Sequence, residues 1–275
     1  MITSKLKGGL GNQMFQIAAA LSLGKDLGIE VAFDHNQYYL PNQGNRSTEY
    51  SENIFRNINF INNIKISSIY KERNFYYNYP MTRIFKIQLF ISKYVNGLVN
   101  NNLQLDGYFH SYKYFSNNEK YIRKVFNIDE ISNKIISDKY IGFLNQNPAF
   151  IHVRRGDYLK FKDKYPPCSL EYYYSAINEF DIDKIFFVFS DDISWCKKNF
   201  LDERFIMIEN NPDYIDLYLM SKCSGSIIAN SSFSWWGAWL NTNINKQVIA
   251  PSNWYGPAYN NEPPTDIVPE SWTLI

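Results

Sequence analysis

The stretch AFIHVRRGDY, residues 149–158, decides the fold. Ala149 to Val153 is a short apolar run that reads as a strand. His152, Arg154, Arg155 and Asp157 then crowd its carboxyl end. Open α/β sheets bind ligands outside the carboxyl ends of their strands. Strand alternation sends His152 and Arg154 to one side and Arg155 to the other. Two adjacent arginines after an apolar strand are costly unless paired. A diphosphate is one partner, since the guanidinium fork matches its oxygens. Asp157 and other carboxylates are the alternative.

Downstream of this strand the pattern is regular. Ser169 caps a predicted helix that runs to Phe180. Ile185 to Ser190 reads as a buried strand, Asp192 to Phe200 as a short helix, and Phe205 to Glu209 as a strand. Asn211 and Pro212 signal a helix start, with Asp213 to Lys222 helical. Ser226 to Ala229 is a strand, Phe233 to Leu240 a helix and Gln247 to Ala250 a strand. Strict alternation of this kind implies a parallel sheet with helices on both faces.

Upstream, Ile2 to Lys7 reads as a strand that the glycines of GGLG, residues 8–11, interrupt. A helix follows from about Asn12 to Leu27, ended by Gly28, and Glu30 to Phe33 is the next strand. That is a βαβ beginning. Between Pro41 and Asn102 the signal weakens to Asn-rich turns and one helix, Thr82 to Val95. Leu103 to Phe109 reads as a strand and Tyr112 to Ile136 as helical connections. The expectation is therefore two α/β domains, 1–145 and 146–275.

Three further motifs sit at strand-to-helix junctions. In the glycine turn, Gly9 and Gly11 let backbone amides approach an anion at the helix start, and Asn12 and Gln13 add side-chain amides. A dinucleotide-binding turn is a rival, with Asp34 placed for a ribose, but its third glycine would fall at Met14. Ser190-Asp191-Asp192 permits three readings: a helix cap, an acidic pair for a metal, or a carboxylate that accepts two protons from guanine. The residues alone leave these open. Ser231, Ser232 and Phe233 open a helix after a strand, which makes an anion site of hydroxyls and backbone amides. Trp235 and Trp236 read as packing.

Composition narrows the classes. Lys plus Arg is 28 against 27 for Asp plus Glu, a net charge of +1 that gives no field to attract nucleic acid. Aromatics at 17% could stack on sugars and bases, but buried aromatics mostly pack, and that is the reading for most of them here. The three cysteines, Cys168, Cys196 and Cys223, show no metal spacing and are expected as free thiols in a reducing compartment. No apolar run reaches the length of a transmembrane segment or signal peptide, so a cytoplasmic location is expected.

Taken in order, GGLGNQMFQ (8–16), HVRRGDY (152–158), SDD (190–192) and SSFSWWGAWL (231–240) resemble the bacterial α-1,2-fucosyltransferases, glycosyltransferase family 11. LDGYFHSYKYF (105–115) resembles a further segment of that family, with His110 where a glutamine is usual. The resemblance implies a GT-B-like α/β fold, two Rossmann-like domains facing a central cleft, with Asn12 facing Arg154 across it. It implies GDP-fucose as co-substrate, a galactose-terminated oligosaccharide or lipid-linked glycan as acceptor, and neither metal nor other cofactor. It assigns Arg154 to the β-phosphate, with Arg155 secondary. Ser231 and Ser232 go to the phosphates, Asp191 or Asp192 to guanine, and Asn12 to the phosphate or fucose. Asp157, Asp163 and His152 are candidate bases, Asp157 first. The rivals are a transferase for another sugar nucleotide, a nicotinamide-dependent oxidoreductase and a non-catalytic glycan-binding protein. A glycosidase is disfavoured because nothing marks a paired acid and nucleophile.

Overall fold

The computed structural model describes residues 1–35, 44–72, 102–261 and 266–275. The helix expected at Thr82 to Val95 lies outside them. The chain divides into two compact units, Met1–Asn127 and Ile128–Ile275. The helix Glu130–Leu144 counts with the second unit, not with the first as a boundary at 145 expects. Its Tyr140 hydroxyl donates to Asn211 Oδ1 at 3.2 Å, which fixes it there.

In the first unit, strands β1 (Ile2–Ser4), β4 (Ser68–Lys71) and β5 (Leu103–Asp106) form a parallel sheet in the order β1-β5-β4. Strands β2 (Phe33–Asp34) and β3 (Phe60–Ile61) form a parallel pair, and a single bridge from Ile2 to Val31 links the two sets. The expected βαβ beginning is present. Its helix spans Leu10–Leu27, starts two residues earlier than the sequence suggests, and is buried at nearly every position to Gly24. Small residues permit this: Ala18, Ala19 and Ala20 line the interior, and any side chain at Gly24 would collide with Val31. Gly28 ends the helix at φ +65°, where its amide reaches the carbonyls of Gly24 and Lys25.

The second unit holds six parallel strands: β6 (Ala149–Val153), β7 (Phe186–Ser190), β8 (Phe205–Met207), β9 (Gly225–Ile227), β10 (Gln247–Ala250) and β11 (Thr273–Leu274). Their order is β11-β10-β9-β6-β7-β8. The chain lays β7 and β8 on one side of β6, then returns to place β9 on the other. That reversal is a topological switch point, and it lies at the carboxyl ends of β6 and β9. Ile151, Val153, Val188, Ile227 and Ile249 are fully buried, with Tyr173, Ile177 and Phe200 packed against them.

The predicted caps hold in two places. Ser169 Oγ accepts from the Tyr172 amide at 3.2 Å, and Asp192 Oδ1 from the Trp195 amide at 3.1 Å. Such a cap stabilises a helix by ~1 kcal/mol. Asn211 differs. The helix Asp213–Met220 starts after Pro212, and Asn211 instead donates to the Asp216 carboxylate at 2.8 Å. Trp235 and Trp236 are fully buried, and Trp235 Nε1 donates to the Ile267 carbonyl at 2.7 Å, so both pack, as read. All three cysteines are free thiols. No helix among the described residues is long and apolar enough to cross a membrane.

Candidate active site

Three strand ends of the second unit converge at the switch point. Val153 is in register with Ser190, so the arginines after β6 meet the aspartates after β7. Arg154 Nη1 lies 3.0 Å from Asp191 Oδ2, and Arg154 Nη2 donates to Asp157 Oδ1 at 2.6 Å. The Arg155 amide donates to Asp191 Oδ1 at 2.8 Å, and Arg155 Nε to Asp192 Oδ2 at 3.1 Å. Gly156 makes the approach possible, since a β-carbon there would fall 2.6 Å from Asp191 Oδ2. The carboxylates are thus the arginines' partners. Asp191 Oδ1 and both oxygens of Asp192 accept hydrogen bonds from Arg155 or the helix start, and Asp191 Oδ2 is ion-paired with Arg154.

These pairs are partly exposed: the Arg154 side chain is 34% accessible. Ion pairs at such a surface stabilise by at most ~1 kcal/mol. A phosphate can therefore exchange with a carboxylate at little cost. Arg155 is the more committed of the two, with its guanidinium 4.4 Å above the Trp195 ring.

Two residues in or beside the motifs, to which the sequence assigns no role, tie the site together. Tyr158 lies 5.4 Å from the Arg154 guanidinium, ring centre to carbon, and its hydroxyl donates to the Asn230 carbonyl at 3.0 Å. Asn230 is buried, and its amide donates to the Pro166 and Trp254 carbonyls at 2.9 and 3.0 Å. A buried asparagine between an apolar strand and a serine pair is the signal that could have marked it. Directly after it, Ser231 caps the helix Ser232–Leu240, with Oγ accepting from the Phe233 amide at 3.4 Å. Ser232 and Phe233 are half-buried at the start of that helix.

His152 is 5% exposed, its Nδ1 has no hydrogen-bond partner, and its ring centre lies 5.6 Å from that of Phe233. Burial pushes its pKa down to about 3; Arg154 pushes the same way and Asp191 opposes. His152 is therefore neutral at physiological pH and a weak proton acceptor. The unfolded chain protonates near pH 6.5, so below that pH it binds a proton the fold refuses. Stability is then expected to fall as the pH drops from 6.5 toward 3, by roughly 1.4 kcal/mol per pH unit. His110, held to about 4 by burial, adds a second loss of the same sign. Asp216, which burial raises to about 7, binds a proton in the fold over part of this range and opposes the loss. Urea unfolding of the wild type and of His152→Phe at pH 7 and pH 5 isolates the histidine contribution, and the same pH dependence in both would mean that His152 takes up its proton in the fold as readily as in the unfolded chain.

The first unit brings together the glycine turn and the segment after β5. Asn12 Oδ1 lies 2.9 Å from His110 Nε2. Gln13 corrects an expectation. It is 2% exposed and its amide donates to the carbonyls of Gly8 and Asn45, at 2.9 and 2.8 Å. It braces the turn from within, with its N–H groups committed to main-chain carbonyls. Gly11 is likewise buried in the first helical turn, while Gly9 caps the helix at the surface with open space at its β-position. Asp34, the ribose candidate, accepts from the Ile64 amide at 3.1 Å. Among the described residues, no group of three or more His, Cys, Asp or Glu could hold a metal ion.

The whole chain, residues 1–275, matches the family described as Glycosyl transferase family 11. An Escherichia coli protein named alpha-1,2-colitosyltransferase is 31% identical, over 100% of this chain and 99% of that one. A Caenorhabditis elegans galactoside 2-alpha-L-fucosyltransferase is 27% identical, over 88% of this chain and 70% of its own. Among solved structures, NodZ alpha-1,6-fucosyltransferase soaked with GDP-fucose superposes with a TM-score of 0.52 at 15% identity, covering 87% of this chain and 92% of that one. At that identity the likeness bears on fold, and the fold is the GT-B-like α/β class expected from the sequence.

Proposed function

The chain belongs to glycosyl transferase family 11, and from that premise we propose that it moves L-fucose from GDP-fucose to the 2-hydroxyl of a terminal galactose, forming an α-1,2 linkage. One observation carries the reading: a guanidinium fork, Arg154, held at the switch point where the helix start Ser231–Phe233 supplies further donors. The linkage is supported by the α-1,2 in the name of the 31% identical relative, and the sugar by that of the worm protein.

The donor carries fucose in the β configuration and the product is α, so the reaction inverts in a single displacement. The bond from the anomeric carbon to the diphosphate breaks while the bond to the acceptor oxygen forms. Negative charge grows on the departing phosphate, and Arg154 stabilises it. Ser231, Ser232 and the amide of Phe233 bind the diphosphate, and Asp191 or Asp192 reads guanine. Asn12 offers its amide to the phosphate or the fucose. Asp157 takes the acceptor proton late. His152 is left without that role, because it is buried with its ring against Phe233.

The name of the E. coli relative favours one second reading, a donor carrying colitose in place of fucose. Mass spectrometry of products separates the two. GDP-fucose, a colitose donor and UDP-sugars are each offered with galactosyl oligosaccharides and lipid-linked glycans. One deoxyhexose added at the galactose 2-hydroxyl from GDP-fucose is expected, and excess EDTA should leave the rate unchanged. A larger yield from the colitose donor would replace fucose in the assignment. Equal use of UDP-sugars would remove the guanine reading, and glycan binding without turnover would remove catalysis. Activity lost to EDTA and restored by Mg²⁺ would make Asp191 and Asp192 metal ligands.

A further inference from the structure

We infer that His110 is a positioning residue for Asn12: its ring holds the amide oxygen and so fixes the direction in which Asn12 offers its N–H groups. The inference rests on the assignment of Asn12 to the donor made above.

The contact is 2.9 Å, from His110 Nε2 to Asn12 Oδ1. An amide oxygen only accepts, so the ring must carry its proton on Nε2. Burial holds the imidazole pKa near 4, which leaves that N–H as the neutral ring's only one. Asn12 is constrained from the other side as well. Its Nδ2 lies over Gly8, at φ +81°, where any side chain would collide with it. The amide is thus set between a glycine and a ring, with oxygen and nitrogen told apart.

The ring itself is held with unusual effort. Tyr108 stacks on it with centres 5.2 Å apart, and Phe15 meets it edge-on at 5.2 Å. The backbone leading to it is strained: Phe109 sits at φ +53°, a left-handed conformation rare for a bulky residue. A half-buried carboxylate over-determines that turn. Glu72 accepts from the Tyr108 amide at 2.7 Å and from the Phe109 amide at 3.0 Å. Gly107 leaves room for it, since a β-carbon there would strike the Glu72 side chain. Burial raises the Glu72 pKa against the pull of both amides and of Lys7, so the fold tolerates an awkward carboxylate to keep this turn. Local strain of this kind persists only where its surroundings enforce it, and it clusters at ligand clamps and active sites.

A double-mutant cycle on the full chain tests the inference, using Asn12→Ala, His110→Leu, both together, and His110→Gln. Each single truncation is expected to lower kcat by roughly tenfold to a hundredfold, the scale of a misplaced catalytic group, with the acceptor KM little changed. The double variant should lose no more than Asn12→Ala alone, because the ring acts only through the amide. His110→Gln should recover most of the rate, since a glutamine amide can also donate to Oδ1. Normal kcat in His110→Leu beside a loss in Asn12→Ala overturns the inference and leaves the Asn12 assignment standing, as do additive losses. Normal kcat in Asn12→Ala overturns the assignment first and the inference with it. If His110→Leu does not fold, long-range ¹H–¹⁵N spectra of the wild type decide: the Nε2–H tautomer supports the inference and the Nδ1–H tautomer refutes it.

Discussion

Replacing Arg154 by lysine is expected to lower kcat/KM for GDP-fucose almost as far as replacing it by alanine, roughly a hundredfold to a thousandfold. The charge is the same in arginine and lysine, so the argument turns on geometry. Arg154 uses two different terminal nitrogens, Nη1 toward Asp191 and Nη2 toward Asp157. A lysine has one nitrogen and cannot span both anchors, nor present a planar fork to a phosphate. Part of the loss should fall on kcat, because the charge being stabilised grows during the reaction. Arg155→Lys should be milder. Its guanidinium stacks on Trp195 and bonds Asp192, which places it beside the helix after β7. Steady-state kinetics of four variants, Arg154 and Arg155 each to Lys and Ala, with melting curves as controls, would settle it. Near-normal kcat/KM in Arg154→Ala would falsify the assignment of the fork to the phosphate.

Asn230→Ala is expected to cost the fold roughly 2–4 kcal/mol, the sum of two orphaned carbonyls of which one is fully buried. The side chain donates to Pro166 and Trp254, segments that flank the switch point from opposite directions in sequence. Alanine leaves a void as well. Asn230→Asp should be no better, because a carboxylate supplies no N–H and would be buried with only the weakly donating Cys168 thiol, 3.7 Å from Oδ1, beside it. The Tyr158 bond uses the main-chain oxygen and survives both changes. Urea unfolding of the variants gives the number directly. A stability within ~0.5 kcal/mol of wild type would show that the two carbonyls find other donors or water.

Much of this was legible in the sequence, for definable reasons. Apart from β11, the strands of the second unit are three- to five-residue, mostly apolar runs, and the helices between them announce themselves through Ser169, Asp192 and Ser231. The first unit gave less because its signals are weak. Strands β2 and β3 are two residues each, and β4 is largely exposed, so no hydrophobic period marks them. Strand β11, equally short and exposed, escaped notice altogether. At the site, the motifs located Arg154, Asp191 and Ser231, but which carboxylate meets which arginine depends on the register of β6 against β7, a long-range property. Gln13 misled because an amide beside a glycine turn looks the same whether it points outward or, as here, into the helix packing.

The position of β6 has a consequence for how the molecule is made. As the chain leaves the ribosome, β6 gains β7 on one edge within a few tens of residues. Its other edge must wait for β9, which follows only after β8 and two helices. During that interval an apolar strand stands with its backbone unpaired, open to wrong partners. The arginines of Arg154-Arg155 already exist then, but the serine turn of the proposed diphosphate site has not been synthesised. A nucleotide bound as proposed would therefore stabilise the finished protein, yet it would not guide the nascent chain through its most exposed stage.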